Sequence, residues 1–105
     1  MKTIAEEIEE ILLQTAGKRP IWQLWSDIIE MYAIALANSI ISVPQREERY
    51  KEIQKGYSTK ETDNITKICS LIVTAYTRNP RQDLLGSLYM KLKLDSHWKG
   101  QSTLL

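Results

Sequence analysis

The 105-residue chain holds a single cysteine, Cys69, and a single histidine, His97. One thiol excludes an internal disulfide and any thiolate metal cluster, and it fits a reducing cytoplasm. One imidazole excludes a metal site built on two or more histidines. Four glycines and three prolines leave few chain breakers, which favours long helices over many short strands. The glycines stand alone at 17, 56, 86 and 100, so there is no glycine-rich phosphate loop. No basic leader precedes an apolar run and a cleavage site, and secretion is not expected. The most apolar stretch, Met31 to Val43, is too short to span a bilayer. No segment alternates with a period of two for long enough to predict a strand.

What is present has an ordinary globular balance, 43% hydrophobic and 26% charged. That composition argues against whole-chain disorder, and the length allows one domain with an adequate core. The net charge of +1 supplies no bulk pull toward nucleic acid or membrane. The distribution is less even. Residues 1–17 carry Glu6, Glu7, Glu9 and Glu10 against Lys2. From Asn64 onward six basic residues (Lys67, Arg78, Arg81, Lys91, Lys93, Lys99) face two acids, Asp83 and Asp95. An anionic partner near the C-terminal half is permitted by this asymmetry but not demanded.

Hydrophobic spacing predicts a bundle of about five helices. Thr3 and Glu6 form a capping-box pattern, followed by Ile4, Ile8, Ile11, Leu12 and Ala16 on one stripe, with Gly17 as the stop. The segment from about Ile21 to Ser42 is apolar over most of its circumference, as expected of a central helix surrounded by others. Its stripe runs Trp25, Ile28, Ile29, Tyr32, Leu36, Ile40 and Val43, and Pro44 ends it. A charged helix is expected over Gln45 to Tyr57, with only Tyr50, Ile53 and Tyr57 as an apolar edge. Ser58 and Glu61 repeat the capping box before Ile65, Ile68, Cys69, Ile72, Val73 and Tyr76. Asn79-Pro80 breaks that helix, and Asp83 caps a fifth carrying Leu84, Leu85, Leu88, Tyr89 and Leu92. Residues 1–105 are expected to form one all-α domain, with 96–105 as a flexible tail.

Catalysis requires a constellation of groups, and the sequence shows none. Cys69 lies on an apolar stripe, which favours packing over nucleophilic pairing with His97. No catalytic, cofactor-binding or metal-binding residue is predicted. Binding features are more plausible. Trp22 is an interface anchor if exposed. Arg78, Arg81, Lys91, Lys93 and Lys99 carry the charge for phosphate contacts, although five scattered charges favour an ordinary solvated face. Arg46 and Arg49 belong to the mixed-charge helix, a surface type that is usually only solvated. The apolar supply of the second helix also allows a homodimer through Trp22 or Leu24.

From Gln82 to Gln101 the chain resembles a region of N6-adenine DNA methyltransferases of the phage and restriction-associated kind. The resemblance rests on Asp83-Leu84-Leu85-Gly86, then Tyr89-Met90-Lys91-Leu92, then Gly100-Gln101. Weaker similarity extends upstream through Trp25-Ser26-Asp27 and Arg46-Glu47-Glu48-Arg49-Tyr50. Nearly the whole chain thereby corresponds to the helical region that precedes the methyltransferase domain. Ser102-Thr103-Leu104-Leu105 stands where the family has Phe-Phe-Thr-Pro, and Lys91 stands where it usually has an acid. The family's cofactor-binding and catalytic residues come after this point, so none is carried over. Gly86 is expected to be a small mid-helix residue that allows close packing.

The resemblance implies a non-catalytic helical interaction protein of phage or plasmid origin, needing no cofactor. In its most specific form it inhibits host nucleic-acid defence, of the anti-CRISPR or anti-restriction kind, by docking on a nuclease complex. The alternatives are a structural or DNA-facing subunit of a split methyltransferase, a small helical DNA-binding protein, or a fragment retaining only its fold.

Overall fold

The computed structural model contains five helices: α1 (Ile4–Ala16), α2 (Ile21–Ile40), α3 (Pro44–Gln54), α4 (Thr59–Arg78) and α5 (Leu84–Leu104). It describes the backbone of residues 1–104 and the side chains of residues 1–96. Among the described residues there is no strand, and the fold is an all-α bundle. No helix among them is long and apolar enough to cross a membrane.

Local chemistry sets the helix ends. The Glu6 amide donates to Thr3 Oγ1 at 3.1 Å, and the Thr3 amide donates to Glu6 Oε1 at 3.1 Å. Ser58 and Glu61 make the same reciprocal pair at 3.2 and 2.8 Å. Each box satisfies two amides that a helix start leaves unpaired. Gly17 ends α1 at φ +61°, the left-handed half of backbone space that favours glycine. Pro44 plays a second part beyond ending α2. It is the first residue of α3, where its missing N–H costs nothing and its fixed φ suits a helix start. Val43 is driven into extended geometry before it, so α2 stops at Ile40 rather than Ser42. The third helix starts one residue earlier than Gln45 and ends at Gln54, before Tyr57.

The core lies where α1, α4, α5 and the first half of α2 meet. Helix α1 runs antiparallel to α4. Asn64 Nδ2 donates to Thr15 Oγ1 at 3.0 Å near one end, while Ile4 and Ala5 line a cleft with Ala75 and Arg78 at the other. Thr15 is almost fully buried, and its own hydroxyl donates to the Ile11 carbonyl at 2.7 Å. Between these ends Ile8 and Leu12 are buried along with Ile65, Ile68 and Ile72. Helix α2 contributes Leu24, Trp25, Ile28 and Met31, and α5 contributes Leu84, Leu88 and Leu92. Trp25 anchors α5 directly, since its indole N–H donates to the Leu85 carbonyl at 3.1 Å.

Two expectations, at Leu24 and Gly86, need correction. Leu24 is fully buried, so it is unavailable as a dimer contact. Helix α2 is the central helix, packing against α1, α3, α4 and α5. Helix α5 runs back along it from Leu85 beside Trp25 to Lys93 over Trp22, and so covers the upstream half. Because α5 begins at Leu84, it does not reach Ala33 to Ile40. Gly86 sits in the first turn of α5, not in its middle. A Cβ there would meet the carboxylate of Asp83, which accepts the Gly86 amide at 3.1 Å as the cap, and not a neighbouring helix. Helix α5 extends through Leu104, and Leu105 lies outside the described residues.

Candidate interaction face between α2 and α4

The downstream half of α2, which α3 covers on one side, and the outer side of α4 border a groove of about 630 Å³. Its walls are Tyr32, Ala35, Leu36 and Ser39 from α2 and Thr62, Thr66, Cys69, Ser70, Val73 and Thr74 from α4, with Tyr50 reaching in from α3. None of its thirteen lining residues is charged, although 26% of the chain is. The surface beside the groove continues this character. Leu36 is 53% exposed, Ile40 79%, Ile41 68% and Val73 53%, and together they form half of the large exposed hydrophobics among the described residues. Such clustering, unlike single exposed leucines, is the kind of apolar patch from which an interaction face can be argued.

Its hydroxyl groups do not make it polar. Thr66 Oγ1 donates to the Thr62 carbonyl at 3.0 Å, and Thr74 Oγ1 donates to the Ser70 carbonyl at 3.0 Å. Ser39 Oγ likewise donates to the Leu36 carbonyl at 2.6 Å. Each donor is spent on its own helix, leaving mostly methyl and methylene surface toward the groove. Cys69 lies in this wall, and burial pushes its thiol pKa up, away from thiolate chemistry. Among the described residues no three His, Cys, Asp or Glu side chains are grouped to hold a metal.

A polar clamp sets the spacing of the two groove helices. Arg19, in the turn before α2, donates to Glu61 Oε2 at 2.7 Å and to the Gly56 carbonyl at 2.6 Å. Its guanidinium lies 4.3 Å from the centroid of the Tyr57 ring. The Tyr57 hydroxyl in turn donates to Asp27 of α2. Burial, followed by that carboxylate, raises the Tyr57 pKa. Glu61 is held down at about 2, chiefly by the Arg19 hydrogen bond and next by the Ser58 amide. A carboxylate depressed in the folded state adds stability above its ordinary value of 4.5, and that stability is lost as pH falls toward 2. We expect an acid-unfolding transition in that window, made shallower in Arg19→Met, when helicity is followed by circular dichroism at fixed temperature. An unchanged transition in Arg19→Met would refute the clamp.

The residues singled out from sequence are dispersed. Trp22 is half-buried under Lys93, whose ammonium lies 3.7 Å from the ring centroid. Lys91 pairs with Glu9 at 2.8 Å, and this bond raises its pKa. Arg49 makes a two-pronged contact to Glu30 at 2.6 and 3.0 Å. Arg46 donates to the Ile41 carbonyl at 3.0 Å. Arg78 and Arg81 are exposed at the α4–α5 corner and make no salt bridge among the described residues. Lys99 and His97 lie outside the described side chains. The structure therefore assembles no single basic track from these positions. Leu36, Ile40 and Val73 were readable only as core candidates, because periodicity finds an apolar stripe without telling which part stays uncovered.

Compared with protein-family models, curated proteins and solved structures, the chain matches none of them.

Proposed function

We propose that this chain is a non-catalytic helical interaction protein whose working surface is the α2–α4 face. One observation carries the reading: a groove walled by uncharged residues, with the hydroxyls of Ser39, Thr66 and Thr74 bonded to their own helices and large hydrophobics exposed beside it. Keeping Leu36, Ile40 and Val73 in water forgoes burial worth roughly 1.5–3 kcal/mol per fully buried side chain. Docking against another helix recovers part of it, as in helix-in-groove recognition. The resemblance of residues 82–101 to the methyltransferase front end supports a phage or plasmid origin. It also supports the specific form in which the docked partner is a host defence nuclease complex.

The DNA-facing alternative draws on Arg78 and Arg81. It has less support, because Arg46, Arg49, Lys91 and Lys93 are each engaged within the protein. The test uses immobilised full chain, wild type beside Leu36→Glu, presented with purified CRISPR and restriction nuclease complexes. Retention and inhibition by the wild type, both lost in Leu36→Glu, is the expected result. Retention of none would sink the defence-inhibitor form. Salt-sensitive binding of duplex DNA that Arg81→Ala weakens would favour the alternative instead.

A further inference from the structure

We infer that the floor of the α2–α4 groove binds an uncharged aromatic small molecule bearing a carbonyl-type acceptor, with the Tyr50 phenol as its donor. The inference stands apart from the docking reading above. Leu36 and Val73 are exposed at the rim, with Ile40 and Ile41 beside them, whereas the buried Met31 and Ile65 form the floor. The groove's volume of about 630 Å³ falls within the roughly 300–1,000 Å³ typical of small-molecule sites. Its α2 wall from Met31 to Ser39 is about 12 Å long at 1.5 Å per residue, room for two fused rings and a short substituent.

The lining decides the chemistry. Ser39, Thr66 and Thr74 spend their hydroxyls on their own helices, but four other residues do not. The hydroxyls of Tyr32, Tyr50, Thr62 and Ser70 take no part in the hydrogen bonds among the described residues. None of the four is a buried orphan, so each is open to an incoming partner. A mostly apolar wall with a few polar handles is what small-molecule sites present.

Burial raises the Tyr50 pKa and the neighbouring Cys69 adds to it, so the phenol keeps its proton and donates. An ion is disfavoured, because it would lose hydration in a groove whose lining offers no opposite charge. Two tyrosine rings and the Met31 sulfur favour a flat aromatic body, through edge and face contacts.

Three probes of one shape separate these contributions: 2-acetonaphthone is neutral with a carbonyl, 2-ethylnaphthalene is neutral without one, and 2-naphthoate is an anion. Each is titrated into the isotope-labelled intact chain and followed by heteronuclear NMR. The ketone is expected to give saturable amide shifts centred on Met31, Ala35, Ile65 and Cys69. It binds about two- to tenfold more tightly than 2-ethylnaphthalene, the range of one hydrogen bond, and 2-naphthoate binds more weakly than either. Tyr50→Phe removes the ketone's advantage and leaves 2-ethylnaphthalene unchanged. Ala35→Trp, which adds bulk at an exposed lining position, blocks both neutral probes without loss of helicity by circular dichroism. Absence of saturable shifts, shifts centred elsewhere, or equal affinity of the three probes overturns the site. A ketone preference that survives Tyr50→Phe overturns Tyr50 as the donor. Nuclease retention is measured with no probe present, so the docking reading and this one fail separately.

Discussion

Trp25→Ala is expected to unfold this protein at or near physiological temperature. The side chain is fully buried, and its indole N–H is the donor that ties α2 to the Leu85 carbonyl at 3.1 Å. Truncating a buried tryptophan costs about 3–5 kcal/mol through lost burial and the cavity left behind. Loss of the indole hydrogen bond adds about 0.5–1.5 kcal/mol. A domain of this length has roughly 5–15 kcal/mol of stability in all, so the loss takes a large share of it. Trp25→Phe keeps most of the volume and should lie between the two. Urea titration followed by circular dichroism gives both values. Trp25→Ala within about 1 kcal/mol of wild type would contradict the placement of α5 against α2.

The second large effect is expected at Ile68. It is fully buried in α4, and the Thr15–Asn64 bond places it across from Leu12 in the antiparallel α1–α4 pair. Ile68→Ala should cost about 2–5 kcal/mol. Leu36→Ala removes as much hydrocarbon from a side chain that is 53% exposed, and should change monomer stability by no more than about 1 kcal/mol. The contrast is informative because both residues sit on stripes that look alike in sequence. Comparable losses at the two sites would mean that Leu36 is packed, and the interaction face would vanish with that result. A double-mutant cycle of Leu12→Ala with Ile68→Ala should be non-additive, as for neighbours that share one cavity.

The helices themselves are legible because their signals are local. Thr3 with Glu6, Ser58 with Glu61, Gly17 and the cap at Asp83 act within a turn of the residues they organise. Pro44 shows where local reading falls short. A proline both ends one helix and opens another, and only the partners of Val43 and Arg46 decide how close the two come. Nothing local brings Arg19 to Glu61, 42 residues away, or sets Tyr57 against Asp27. The face between α2 and α4 is harder still. Leu24 and Leu36 lie about 120° apart around α2, and one is at 0% exposure and the other at 53%. Which of the two faces the other helices cover is a tertiary fact. The inward turn of Thr66 and Thr74 is likewise settled by rotamer choice along α4, so a stripe that reads as hydroxylated presents mostly hydrocarbon.

That the α2–α4 face is where this chain works is tested most directly by one affinity comparison. The affinity of Leu36→Glu, Trp22→Ala and Arg81→Ala is measured against wild type, with a purified nuclease complex as the binding partner. The expected result is a loss of at least tenfold in Leu36→Glu alone, with all three variants fully helical. Full affinity in Leu36→Glu with a loss in Arg81→Ala would contradict it and move the function to the basic corner between α4 and α5.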